Sequence, residues 1–165
     1  MGIYDELGER PPRINIEAND AEHAGDGAHT LEAHGPDIPL ERGDAPGGRT
    51  IEGRIFGDAP WDRPENWSYR WLDSGTMNRT INDINRANWE QIRSDLAQRG
   101  EFNGTFDAGK AVGDGFFNER QALPGGRAAP VAKYGVTGYV FLRLVMLAGE
   151  PARFFVETAY PSGLP

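Results

Sequence analysis

The sequence contains no cysteine, three histidines and only two lysines among its 17 basic residues. Without cysteine, the chain can form neither a disulfide framework nor a zinc site with thiolate ligands. No apolar run reaches the roughly 18 residues that a membrane-spanning helix needs, and no signal peptide is recognisable. These absences predict a chain without a membrane span, whose fold depends on packing alone.

The apolar content is sufficient for one domain with a core, because the 165 residues are 38% hydrophobic and 10% aromatic. The net charge of −8 resides in the first third: residues 1–60 carry 13 acidic and 5 basic residues, whereas residues 61–165 carry 12 of each. Most of the basic residues are arginine, which suits bidentate phosphate contacts, although a GC-rich genome produces the same bias. The balanced part of the chain is therefore compatible with an anionic partner.

The first residues have the composition of a leader rather than of a core segment. They contain few large apolar side chains, and the alternation of Ile14 and Ile16 allows at most one short edge strand. We therefore predict a flexible acidic leader over residues 1–21, which is dispensable for folding and can join the domain to a larger protein. One domain is predicted over residues 22–165.

The middle of the chain predicts both helix and strand. Apolar residues recur at three- and four-residue steps over residues 76–98, which predicts one long packing helix. Residues 67–71 alternate aromatic and polar side chains, as a half-buried strand does, and residues 50–56 have weaker strand character because Gly53 interrupts them. Dense glycine over residues 100–126 favours long loops pinned by phenylalanines.

The C-terminal third is rich in β-forming residues. A turn sequence separates residues 131–147 from residues 153–160, which predicts a long hairpin at the centre of a sheet. A strict two-residue period places Val156, Thr158 and Tyr160 on one face, so that two hydroxyl groups lie side by side near a strand end. The predicted fold class is α+β, with N-terminal helices and a central antiparallel sheet.

All three histidines fall within twelve residues, at His23, His29 and His34. Histidine has an ordinary pKa of about 6.5, which suits proton transfer near neutral pH, so these residues are the main candidates for a general base. A solvated or capping role is the alternative for each of them. A short helix capped by Asp26 and ended by Gly35 would place His29 and His34 about 140° apart around its axis. Both can then approach one cleft only from its two edges.

The sequence contains no metal-binding or phosphate-loop motif. The histidine spacings match no His-x-x-x-His pair, and no glycine-rich loop ends in Lys-Ser/Thr. We therefore predict neither a metal nor another cofactor. The available groups are histidine, the loop arginines Arg42 and Arg49, and the hydroxyls of Thr158 and Tyr160. They suit cleavage of RNA by its own 2′-hydroxyl, in which a base removes the proton, a cation stabilises the phosphorane and an acid protonates the leaving oxygen.

Two short segments, Gly-Ala-His-Thr-Leu-Glu-Ala-His at 27–34 and Val-Glu-Thr-Ala-Tyr-Pro at 156–161, carry a family resemblance. They resemble the RNase A-like toxin domains at the C-termini of bacterial contact-dependent inhibition proteins and other polymorphic toxins. The resemblance extends over residues 22–163 through the order of the predicted elements. It implies a kidney-shaped α+β fold like that of pancreatic ribonuclease, without its disulfides.

The resemblance also implies site residues. Thr158 and Tyr160 match the family's Thr-x-Tyr motif directly, and His34 is favoured as the base with His29 as its neighbour or partner. The family places an arginine shortly after the histidine helix, for which Arg42 is favoured and Arg49 competes.

The implied function is a metal-independent endoribonuclease toxin that forms a cyclic phosphate and inhibits the growth of target bacteria. Its implied partners are RNA and a cognate immunity protein that neutralises it. The domain is expected to be a monomer and the C-terminal part of a larger effector. That effector is expected to be secreted or delivered from the cell surface and to act in the cytoplasm of the target cell.

Two other classes of function fit the same residues. One is a different toxin enzyme, either an EndoU-like nuclease or an ADP-ribosyltransferase. The other is a non-catalytic binding module, in which the three histidines are solvated and Tyr160 only packs. Separate incubations with NAD and with RNA distinguish the transferase from a nuclease.

Overall fold

The computed structural model describes residues 2–120 and 129–163. These residues form six α-helices and six β-strands. The helices are α1 (Ile3–Leu7), α2 (Ile16–His23), α3 (Thr30–His34), α4 (Ile51–Phe56), α5 (Ser74–Ala87) and α6 (Trp89–Arg99). The strands are β1 (Trp67–Trp71), β2 (Glu101–Asp107), β3 (Gly113–Asn118), β4 (Ala132–Thr137), β5 (Tyr139–Met146) and β6 (Phe154–Ser162). No helix within the described ranges is long and apolar enough to cross a bilayer.

The described strands form two three-stranded antiparallel sheets, with the orders β1-β3-β4 and β2-β5-β6. This confirms the α+β class, but the single central sheet was wrong. The predicted strand over residues 131–147 divides at Gly138, where the chain passes from one sheet to the other. A Cβ atom at Gly138 would lie 2.6 Å from the Lys110 carbonyl oxygen, so only glycine fits at this crossing. Oγ1 of Thr137 donates to the Ser162 carbonyl (2.6 Å) and ties β4 to β6 there.

The main core lies between helices α5 and α6 and the inner face of the second sheet. Its fully buried members include Met77, Ile81, Ile92, Leu96, Val140, Leu142, Leu144 and Val156. The two helices replace the single helix that the sequence predicts over residues 76–98. Asn88 interrupts it, because its side-chain amide donates to the Ile84 carbonyl (2.9 Å) and its backbone leaves the helical region.

Two predicted elements of the middle region were wrong. Residues 51–56 form a helix rather than a strand, since Thr50 caps it by accepting from the Gly53 N–H (2.9 Å). Residues 101–107 and 113–118 form strands rather than loops. Gly115 is needed there because a Cβ atom would lie 2.0 Å from the Ser68 carbonyl oxygen of β1. Residues 121–126 of the predicted loop lie outside the described residues.

The predicted leader is folded onto the domain. Ile16 starts helix α2 instead of forming an edge strand, and its side chain is fully buried in the main core. The Asn19 side chain accepts from the Val156 N–H (2.9 Å) and donates to the Val156 carbonyl (2.8 Å), as a neighbouring strand would. The boundary between residues 21 and 22 stays a prediction, but residues on its N-terminal side contribute to the core.

Candidate active site

Helix α3 is held against strand β6 by two hydrogen bonds. The backbone N–H of His29 donates to the Glu157 carbonyl (3.0 Å), and the backbone N–H of Ala159 donates to Oγ1 of Thr30 (2.9 Å). These bonds fix the helix that carries the histidines beside the strand that carries the Thr-x-Tyr motif.

The start of α3 differs from the prediction. The sequence predicts Asp26 as the N-cap, but residues 24–26 form a separate 3-10 turn and the helix begins after His29. Oδ2 of Asp20 accepts from the Leu31 N–H (2.8 Å), so a carboxylate from α2 satisfies a donor of the first turn. The predicted end of the helix at Gly35 is confirmed.

His34 lies at the end of α3 with its ring stacked on Tyr160. The ring centroids are 4.4 Å apart with an interplanar angle of 29°, and only 6% of His34 is exposed. Its Nδ1 lies 3.4 Å from the Tyr69 carbonyl oxygen. Because a carbonyl only accepts, Nδ1 carries the proton of the neutral ring, which leaves Nε2 with a free lone pair.

Burial and a nearby cation keep His34 neutral. Removal from solvent and, to a smaller extent, the positive charge of Arg54 together lower the pKa of His34 to about 3, against an opposing effect of the Tyr69 hydrogen bond. In this structure the imidazole is therefore uncharged throughout the neutral range.

Tyr160 is the centre of an aromatic cluster. Besides His34, its ring lies 5.0 Å from Phe141 and 5.9 Å from Trp67. Burial raises the pKa of Tyr160, and Arg54 lowers it by a smaller amount. The hydroxyl therefore stays protonated at neutral pH and is available as a donor.

A bulge in β6 changes the face that the period-two pattern predicts. Thr158 lies opposite Arg143 and Tyr160 opposite Phe141, so the two hydroxyl-bearing residues do share a face. Val156 was predicted on that face but lies opposite Leu144, on the other one. Oγ1 of Thr158 is closed off from solvent and has no hydrogen-bond partner among the described residues.

Arg54 is the site residue that the sequence reasoning missed. Among the described arginines, Arg54 is the only one that is at least partly buried and makes no ion pair with a carboxylate. Burial is the main cause of the lowered pKa of Arg54. The positive charge of Arg54 in turn lowers the pKa of both His34 and Tyr160. The sequence predicts a strand over residues 50–56, whereas Arg54 lies on a helix, so its position beside the site was not expected.

Of the two arginines that the resemblance offers, Arg42 lies outside the site and Arg49 lies near Arg54. Arg42 makes a bidentate ion pair with Asp58 (2.7 and 2.9 Å), and its guanidinium lies 4.1 Å from the centroid of the Phe56 ring. Arg42 is exposed and does not line the cleft described next. Arg49 does line that cleft, where it pairs with Glu32 at 3.0 Å.

A cleft of about 510 Å³ opens beside Arg54. Its walls contain side chains of positive and negative charge and an aromatic ring. The lining residues are His29, Glu32, Ala33, Arg49, Arg54, Pro60, Trp61, Asp62, Arg63 and Glu65. Nδ1 of His29 donates to the Gly27 carbonyl (2.8 Å), which fixes the same tautomer as in His34. The cleft thus combines cations with an imidazole.

His23 belongs to a different part of the molecule. Its ring stacks on Phe155 at 4.9 Å, and Nδ1 lies 3.0 Å from Oδ2 of Asp26. Of the three histidines, the structure therefore places only His29 in the cleft wall; His34 does not line the cleft but lies close enough to Arg54 to feel its charge. Among the described residues, no group of three His, Asp or Glu side chains is placed to hold a metal ion.

No protein-family model and no curated protein matches this chain. A crystal structure of a CdiA-CT/CdiI complex from Y. kristensenii 33638 is similar over 58% of this chain and 77% of its own, with 14% sequence identity and a TM-score of 0.43. A similarity at this level does not establish a shared fold.

Proposed function

We propose that this domain is a metal-independent endoribonuclease that cleaves RNA by attack of its 2′-hydroxyl on the adjacent phosphorus. The main support is the Arg54 guanidinium, which is partly buried and unpaired among the described residues. Its positive charge lowers the pKa of both His34 and Tyr160, whose rings are stacked. A cation withdrawn from water is costly unless a ligand supplies the anion. A phosphodiester is such an anion and matches the guanidinium in shape.

His34 is the proposed base. The 2′-oxygen loses its proton to Nε2 of His34 and bonds to phosphorus while the bond from phosphorus to the 5′-oxygen breaks. A bound phosphate offsets the charge of Arg54, which is the second cause of the low pKa of His34. Substrate binding is thus expected to raise that pKa toward the range in which an imidazole is an effective base.

Donors complete the proposed reaction. The leaving 5′-oxygen takes up one proton, which we assign to Nε2 of His29 in its imidazolium form, because His29 lines the cleft. The hydroxyl of Tyr160, which burial keeps protonated, donates a hydrogen bond to a phosphoryl oxygen in the transition state. Thr158 contributes a hydroxyl without a partner among the described residues, which a rotation about its χ1 angle would redirect. The products are a 2′,3′-cyclic phosphate and a 5′-hydroxyl.

The biological role is proposed from the resemblance of residues 27–34 and 156–161 to polymorphic toxins. The domain acts as a growth-inhibiting toxin, delivered within a larger secreted or cell-surface protein into the cytoplasm of a target cell. A cognate immunity protein neutralises it by covering the cleft that contains His29 and Arg54.

Incubation of the purified protein with RNA in excess EDTA tests this function. We expect degradation to persist and to leave cyclic phosphate ends, since the proposed reaction uses side chains alone. Loss of cleavage on chelation would contradict the mechanism, and intact RNA under all conditions would contradict the function. A parallel incubation with NAD serves as the comparison, because consumption of NAD with intact RNA would favour a transferase.

A further inference from the structure

Arg49 and Arg54 share one aromatic ring in the wall of the cleft. Their guanidinium carbons lie 5.1 and 4.7 Å from the ring centroid of Trp61. The indole N–H of Trp61 donates to the Thr50 carbonyl (2.8 Å), which anchors the ring to the start of α4. The indole thus holds two cations within about 10 Å of each other.

Among the described residues, the two cations make only one ion pair between them. Arg54 makes no ion pair there, and the nearby Glu65 is bonded to Arg63 at 3.0 Å. Arg49 pairs with one carboxylate, Glu32, whose side chain is 67% exposed. Nε of Arg49 is buried without a hydrogen-bond partner. The two guanidinium groups repel each other, and that of Arg49 retains an unused hydrogen-bond donor. This arrangement favours a ligand with more than one negative charge.

We propose that Arg49 binds the phosphate that neighbours the one held by Arg54, and that Glu32 occupies this position when nucleic acid is absent. The ligand is a single-stranded oligonucleotide with at least two consecutive phosphodiesters. The assignment of the first phosphate to Arg54 rests on the proposed function. The second phosphate is recognised by charge and by the fork of the Arg49 guanidinium.

The carboxylate of Glu32 competes with the second phosphate in this arrangement. An exposed ion pair contributes little stability, so its exchange for a phosphate is easy. Neutralising Glu32 therefore strengthens binding, whereas neutralising Arg49 weakens it. These opposite directions separate the proposal from a simple loss of structure.

The experiment measures binding of a fluorescein-labelled 2′-O-methyl RNA hexanucleotide by anisotropy over a range of salt concentrations. This probe cannot be cleaved, because its 2′-oxygens are blocked. Relative to the parent protein, R49Q should bind about tenfold more weakly, and its log–log salt slope should be smaller in magnitude by about 0.7. E32Q should bind about threefold more tightly.

R86Q is the matched control. Like Arg49, Arg86 pairs with a carboxylate, that of Asp83, but it is more exposed and lies on α5 outside the cleft. An R86Q slope that falls as much as that of R49Q would show general electrostatics and overturn the proposal. Unchanged or weaker binding by E32Q, in a protein whose circular dichroism melt matches the parent, would overturn the role of Glu32.

The outcomes for this subsite and for the ribonuclease function are separate. If the hexanucleotide shows the expected shifts but unmodified RNA stays intact, the subsite is supported and the catalytic function fails. If RNA is cleaved but R49Q retains the parental slope, the subsite fails and the catalytic function stands.

Discussion

The ring of Tyr160 on the last strand stacks on the ring of His34 at a centroid distance of 4.4 Å, and Nδ1 of that histidine reaches the Tyr69 carbonyl. One stack therefore joins a base candidate from the N-terminal helices to a donor from the C-terminal strand. The hydroxyl of Tyr160 can be removed without disturbing the ring that makes this contact.

Tyr160→Phe should lower RNA cleavage by about 100-fold, because it removes one transition-state donor of the proposed reaction. The stack is retained, so the free energy of unfolding should change by no more than about 1 kcal/mol. Initial cleavage rates and urea unfolding measure the two effects. Tyr134→Phe is the control, since the Tyr134 hydroxyl bonds to Asp114 outside the cleft. Equal activity in both variants would remove Tyr160 from the mechanism.

Thr158→Val separates catalysis from packing. Its hydroxyl is buried without a partner among the described residues, so the change to a side chain of the same shape should not lower stability. Activity should fall about tenfold if this hydroxyl contacts the reacting phosphate. Cleavage rate and thermal melting are compared with the parent protein. Full activity in a folded variant would leave Thr158 a structural residue only.

Arg54→Gln should abolish most cleavage, because in the proposed reaction the scissile phosphate loses its cation; a loss of about 100-fold or more is expected. Arg42→Gln removes the same charge from an exposed ion pair with Asp58 and should retain at least about half of the parental rate. The ratio of the two cleavage rates is the measurement. A larger loss of cleavage in Arg42→Gln than in Arg54→Gln would support Arg42, the arginine that the resemblance favours, and contradict the assignment of Arg54.

The low pKa of His34 makes stability depend on pH. Between its pKa of about 3 in the folded protein and 6.5, its ordinary value, the unfolded chain binds a proton that the folded protein does not. The contribution is therefore fully present above pH 6.5 and is lost as pH falls toward 3, at up to about 1.4 kcal/mol per pH unit. From pH 7 to 5 the parent should lose about 2 kcal/mol more than His34→Gln in urea unfolding. Parallel losses in both proteins would contradict a buried neutral His34.

Ile16→Ala tests whether the predicted leader belongs to the core. Ile16 is fully buried, so the variant should lose about 3 kcal/mol of unfolding free energy. Ile3 is 44% exposed, and Ile3→Ala should lose less than about 1 kcal/mol. The sequence predicted that residues 1–20 are dispensable, whereas these contacts predict that their deletion destabilises the domain. Equal small effects in urea unfolding of the two variants would support the original expectation.

Patterns that depend on neighbours in the sequence predicted structure well. The strand Trp67–Trp71 has the predicted bounds, and the hairpin of β5 and β6 is confirmed, because alternation and turn residues are local signals. Asn88 shows the limit of such signals. It occupies a helical position in the apolar stripe, but its side chain competes for the backbone carbonyl of Ile84 and ends the helix.

Signals that depend on distant contacts were missed. Gly115 suggested a loop, yet it is required by the close approach of a strand far away in sequence. The bulge in β6 places Val156 on the opposite face of the sheet, which a strict two-residue period does not predict. Arg54 was missed because an unpaired cation is recognisable only when its surroundings are known. The Thr158 and Tyr160 pair was placed on one face from sequence alone, since both lie on the same side of the bulge.

The docking of α3 on β6 also determines when the site can form during synthesis. His34 is synthesised before Tyr160, which follows it by 126 residues, and before the backbone partners at Glu157 and Ala159. Contacts of such large sequence separation form late, because a long loop must close first. A nascent chain therefore carries the histidine helix without the strand that completes the candidate site, and the proposed catalytic groups come together only after β6 has been synthesised.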